Sequence, residues 1–93
     1  MIIGVCTIDL YLAESGSLKS KRQILRAIKD RIQSDFNVSV SEIDHHDLWQ
    51  RATLGVAIVS TDVRFANRVL NKVVDLVGKE PRAEILQWAL EIR

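Results

Sequence analysis

Between Ser17 and Phe36 the apolar residues Leu18, Ile24, Leu25, Ile28, Ile32 and Phe36 fall on one face at helical spacing. A stripe of this kind marks an amphipathic helix that must be covered by another layer. Ser17 stands where an N-cap would. The helix runs into a strand, a polar turn around His45, His46 and Asp47, and a second strand that ends near Ser60. This one stretch already requires a sheet with a helix packed on it.

The same helix carries a second pattern. Lys19, Arg22, Arg26, Lys29 and Gln33 step by three and four along a neighbouring face, so four cations line one ridge. From Ser17 to Phe36 there are six cations and two acids, Asp30 and Asp35. A salt-bridged surface would alternate its charges; this one does not. Lys19, Lys21 and Arg22 also crowd the first turns, where the helix dipole disfavours cations by roughly 0.3–1 kcal/mol each. Cations and free N–H groups presented together suit an anion such as phosphate. The competing reading is a solvated helix surface, because Lys and Arg are good helix formers. Lys21 shares the apolar face with Ile24, Leu25 and Ile28, and it is expected to snorkel out from the helix end.

The remaining elements follow from periodicity. Met1 to Ala13 reads as a strand with Ile2, Cys6, Ile8, Leu10 and Leu12 on one face and Ile3, Val5, Thr7, Asp9 and Tyr11 on the other. Two apolar faces suggest a central strand. Val38 and Val40 begin the second strand, and the alternation breaks at Glu42-Ile43, as at a β-bulge. Arg51 to Ser60 alternates cleanly, and Gly55 implies a close approach on its own face. A second helix starts at Thr61 or Asp62, buries Phe65, Ala66, Val69, Val73, Leu76 and Val77, and stops at Gly78. Ala83 to Arg93 is ambiguous: its residue types favour helix, but Leu86, Trp88, Leu90 and Ile92 alternate as a strand would, and a strand is chosen because the sheet then has four members with both helices on one face. The order is strand, helix, strand, strand, helix, strand. It predicts an α+β, ferredoxin-like βαββαβ fold: a four-stranded antiparallel sheet with both helices on one face. The other face would hold Ile3, Val5, Thr7, Asp9, Tyr11, Thr53, Gly55, Ala57, Val59, Ile85, Gln87 and Ala89. That face is apolar enough to predict a partner, and a homodimer is expected.

With 93 residues, the chain makes a single small domain, and its 47% apolar content fits a globule. The net charge of +1 announces no bulk affinity for nucleic acid, but the charge is unevenly spread. Outside the two helices there are eight acids and four cations. One cysteine, Cys6, excludes a disulfide framework and a cysteine-rich zinc site, and it reads as an inert core thiol. No signal peptide or bilayer-spanning run is visible, so a cytoplasmic location without membrane contact is expected.

Trp49, Gln50 and Arg51 admit two readings. Trp and Arg can stack on bases while Gln and Arg bond base edges or phosphate. Alternatively, Trp49 packs over the hairpin and Arg51 pairs with Glu42 across the strands. Adjacent histidines in extended chain point apart, so no metal is expected from His45, His46 and their acidic neighbours. No phosphate-cradling glycine loop is present. The expectation is therefore no cofactor, no catalytic residue and no small-molecule substrate.

Four segments together, LKSKR (Leu18 to Arg22), FNVSVSEI (Phe36 to Ile43), DLWQR (Asp47 to Arg51) and GVAIVS (Gly55 to Ser60), closely resemble the YlxP-like family of small bacterial proteins of unknown function. The resemblance implies the ferredoxin-like fold. Its genes often lie beside those of translation initiation factor two and ribosome-binding factor A, which implies a link to ribosome maturation or translation. It transfers no catalytic residue. Residues and resemblance together predict a non-enzymatic module that contacts RNA or a ribosomal surface through Lys19, Lys21, Arg22, Arg26, Lys29, Trp49, Gln50 and Arg51. The alternatives are a protein-binding homodimer that uses the open sheet face and, ranked lower, an acylphosphatase-like enzyme. Glu14 to Leu18 lacks the glycine-rich turn and the phosphate-gripping arginine that such enzymes show.

Overall fold

The strand β1 (Ile2–Tyr11) lies inside the sheet, hydrogen-bonded on both sides. The computed structural model describes residues 1–93. After β1 come α1 (Leu18–Asp35), β2 (Ser39–Asp44), β3 (Arg51–Ser60), α2 (Val63–Gly78) and β4 (Glu84–Ile92). All neighbouring strands are antiparallel, in the order β2-β3-β1-β4. This is the ferredoxin-like plan, with both helices against one face. No helix is long and apolar enough to cross a membrane.

The core lies between the sheet and the helices. Cys6, Ile8, Leu10 and Leu12 have no exposed surface. They share one cluster with Ile24, Leu25, Ile28 and Ile32 of α1 and with Leu70, Val73 and Val77 of α2. Burying each such side chain contributes roughly 1.5–3 kcal/mol. The same burial explains why 84–92 is a strand despite its helical residue types. Paired with β1, it completes the backbone ladder and sets Leu90 and Ile92 against the core.

Both helix starts are capped by side chains. Ser17 Oγ accepts from the Ser20 N–H at 3.0 Å. Asp62, rather than Thr61, caps α2, and its Oδ1 accepts from the Arg64 N–H at 2.9 Å and more distantly from the Phe65 N–H. The buried stripe of α2 is rotated from the expected one. Phe65 is exposed, with the Arg68 guanidinium 5.6 Å from its ring centroid, and Leu70 and Val74 are buried instead. Gly4 accounts for part of this rotation: a Cβ there would lie 2.9 Å from Leu70 Cδ1, so only a glycine lets α2 settle this close to β1.

Two bulges set which side chains reach the open face. In β2 the register shifts between Glu42 and Asp44. The intervening Ile43 lies over Gly55, with its Cγ2 3.0 Å from where a Cβ would be. This is the close approach expected from Gly55. In β1–β4 the register shifts at Asp9/Leu10, so Ile85 pairs with Leu10 and packs toward the core. Ile85 therefore leaves the open face where alternation had placed it. Alternation counts residues, and an inserted residue reverses it.

Candidate nucleic-acid interface

The ridge expected on α1 is present. Lys19, Arg22, Gln23, Arg26 and Lys29 line one trough of about 410 Å³ with no apolar residue. The fifth residue is Gln23 rather than Gln33. Lys19, Arg22 and Arg26 are exposed, and Lys29 is half-buried. The ion pairs of the protein are Lys21–Glu42, Arg82–Glu80 and Arg93–Glu91, so none of the four trough cations is neutralised. Arg22 is steadied within the helix, where its Nε donates to the Leu18 carbonyl at 3.3 Å. The trough is built by α1 alone. Arg64, Arg68 and Lys72 are exposed on α2 but do not line it.

Lys21 is not part of this surface. It is 1% exposed. Its Nζ donates to the His45 carbonyl at 2.6 Å and to the Leu48 carbonyl at 2.8 Å, and it lies 2.7 Å from Glu42 Oε2. At 2.7 Å the Lys21 ammonium and the Glu42 carboxylate form a salt bridge. Lys21 therefore does not snorkel. The chain folds the 45–48 turn over the helix end and supplies the ammonium with acceptors, as a buried charge demands. The buried cation corrects the inclusion of Lys21 among the RNA-contacting residues.

The turn held by Lys21 has further ties. His45 adopts φ 65°, the left-handed region. Its N–H donates to Asp44 Oδ1 at 2.7 Å, and its carbonyl also accepts from the Leu48 N–H at 3.1 Å. His46 Nε2 donates to the Glu42 carbonyl at 3.1 Å. Gln50 fastens the far end: its Nε2 donates to the Ala13 carbonyl at 3.0 Å, and its own carbonyl accepts from the Leu12 N–H at 2.9 Å. One donor of the Gln50 amide is thus occupied, while its Oε1 is free.

Neither half of the structural reading of Trp49 and Arg51 holds. Trp49 is 55% exposed rather than packed over the hairpin. Glu42 pairs with Lys21, and the Arg51 side chain forms no hydrogen bond or ion pair. The cause is facing: Glu42 lies opposite Leu54 on the helix side of the sheet, whereas Arg51 lies opposite Tyr11 on the open side. Trp49, Gln50 and Arg51 line a shallow hollow of about 400 Å³ with Asp47 and Leu48.

The open sheet face holds two further features. Asp9 accepts from Thr53 Oγ1 and from Gln87 Nε2, both at 2.6 Å. The Thr53 bond first, then the Gln87 bond and the nearby Arg51 charge, hold the Asp9 carboxyl below its ordinary value. Beside it, Val5, Thr7, Ile43, Gly55 and Ala57 border a largely apolar hollow of about 330 Å³. On the opposite side of the sheet, burial pushes the Cys6 thiol up to about 11, which leaves it protonated and unreactive.

Residues 3–90 match the family described as "Protein of unknown function (DUF503)". The chain belongs to this family. The uncharacterized protein YlxP of Bacillus subtilis (strain 168) is 37% identical over 83 residues, which is 89% of this chain and 90% of that one. The resemblance carried by the LKSKR, FNVSVSEI, DLWQR and GVAIVS segments thus holds across the DUF503 chain. Among solved structures, a de novo designed protein with a ferredoxin fold superposes with a TM-score of 0.51 at 9% identity, covering 100% of this chain and 86% of that one. An acylphosphatase from Bacillus subtilis gives a TM-score of 0.49 at 14% identity, again covering 100% and 86%. Such identities concern the fold of this DUF503 protein and carry no activity.

Proposed function

We propose that this DUF503 protein is a non-enzymatic binding module that contacts RNA, such as a ribosomal RNA surface, through the basic face of α1. The observation that carries this reading is the trough of four unneutralised cations, Lys19, Arg22, Arg26 and Lys29. Unpaired cations at helical spacing form a repeating positive surface that suits a phosphate backbone. The gene neighbourhood implied by the YlxP-like resemblance agrees with a ribosomal target. Four phosphates neutralised imply a log–log salt slope of roughly −3 to −4. The test is a titration with ribosomal RNA at several salt concentrations. The double variant Arg22→Glu and Arg26→Glu should bind far more weakly, with a flatter salt dependence and an unchanged fold. Undiminished binding by that variant would remove the trough from the mechanism.

The apolar hollow on the open sheet face supports a second, compatible reading, in which two copies pair through that face. Ile3, Ile43 and Val59 add exposed apolar surface around it.

A further inference from the structure

The trough on α1 and the Trp49 turn are not separate features. A polar saddle of about 280 Å³ lies between them, lined by Leu18, Lys21, Arg22, Glu42, His46 and Asp47. Arg22 belongs to both trough and saddle, and Asp47 to both saddle and Trp49 hollow. The surface is therefore continuous from Lys29 to Arg51. Its two ends differ in chemistry. The α1 end carries four cations and the neutral Gln23, no acid, and runs for roughly 15 Å at 1.5 Å per residue. The turn end offers a half-exposed indole, the free Oε1 of Gln50 and the unpaired Arg51, with Asp47 beside them. Asp47 repels phosphate and can accept from a base amino group, so this end suits bases rather than backbone.

We propose that the surface takes single-stranded RNA, with phosphates along the α1 trough and one unpaired base stacked on Trp49. This rests on the RNA reading above and adds the form of the ligand to it. A base inside a duplex has no free face to give the indole, whereas an unpaired base has one. Lys21 is the positioning residue of the arrangement. By gripping the carbonyls of His45 and Leu48 from within α1, it fixes the distance between indole and trough. A large apolar ring this exposed gains by acquiring a partner, and a rigid turn presents it at low entropic cost.

The experiment uses oligouridylate and the same strand annealed to oligoadenylate. The full chain should bind the single strand more tightly than the duplex. Trp49→Ala should weaken single-strand binding by about 5- to 150-fold, the range that one base–aromatic stack contributes. Its salt slope should stay unchanged, and Trp49→Phe should restore most of the loss. In a Trp88→Phe background, the remaining Trp49 fluorescence should be quenched by the single strand and not by the duplex. This readout needs no loss-of-fold control. If Trp49→Ala binds as the parent does while the Arg22→Glu, Arg26→Glu variant fails, the stacking proposal is overturned and the RNA reading stands. If the parent binds neither these strands nor ribosomal RNA, the RNA reading itself falls.

Discussion

The second and fourth residues of α1, Lys19 and Lys21, do opposite work. Lys19 is in water and lines the trough, whereas Lys21 is buried on two carbonyls and a carboxylate. Replacing Lys21 by Met leaves the Glu42 carboxylate without its counter-charge and the Leu48 carbonyl without its donor. That change should cost about 3–5 kcal/mol of stability, as breaking a buried pair does. Lys19→Met should stay within about 0.5 kcal/mol of the parent. Urea titrations of the two variants side by side check the contrast, and equal midpoints would refute it. Asp9 supplies a pH prediction. Its folded carboxyl titrates below its ordinary value of 3.8. The stability it adds is complete above that value and is lost as pH falls through the lower, folded one. Asp9→Asn should therefore melt below the parent at neutral pH, with the gap closing in acid. Melting curves between neutral pH and strong acid read this out. A constant gap would mean that Asp9 contributes through shape alone.

At the level of elements, the two strand glycines allow different neighbours. A Cβ at Gly4 would meet Leu70 Cδ1 at 2.9 Å and Ile58 Cγ2 at 3.0 Å. Leu70 is fully buried and has nowhere to move. Gly4→Ala should cost about 1–3 kcal/mol, as overpacking does, and should push α2 off the sheet. At Gly55 the obstacle is Ile43, which is half exposed and can swing away. Gly55→Ala should therefore lie within about 0.5 kcal/mol of the parent. Thermal melts of both variants decide the matter, and a Gly55→Ala change as costly as Gly4→Ala would show that the bulge is rigid. The sequence revealed the two cases unequally. The approach to Gly55 was expected from an isolated glycine in an alternating strand. The seating of Leu70 on Gly4 was not, because it depends on how far α2 is turned about its axis.

For the whole molecule, the two helices cover one face of the sheet and leave the other with the apolar hollow beside Asp9. Pairing of two copies through that face predicts a dimer in sedimentation at micromolar concentration. Ala57→Glu would place a carboxylate in the hollow and should shift the population to monomer. A parent that sediments only as a monomer would exclude this pairing. The proposed RNA surface lies on α1 and the 45–51 turn, and of its residues Arg51 faces the open side, so variants in the α1 trough test RNA binding without touching the pairing face.

Periodicity and residue type determined the first five elements, the interior position of β1 and the cationic ridge, because each depends on neighbours within a few residues; the last segment, locally ambiguous, reads as a strand only because it completes the four-stranded sheet. The helical stripe of Ile24, Ile28 and Ile32 and the alternation of β3 are local signals of this kind. Tertiary structure alone decided the fates of Lys21, Glu42, Trp49 and Ile85. Lys21 looked like a snorkelling side chain until the turn 24 residues later brought the His45 carbonyl to it. Glu42 was expected to pair with Arg51, and the facing of β2 gave it Lys21 of the helix instead. The bulge in β4 turned Ile85 inward by a single inserted residue. Contacts across such distances depend on how elements are rotated and offset against one another, and no local spacing encodes that.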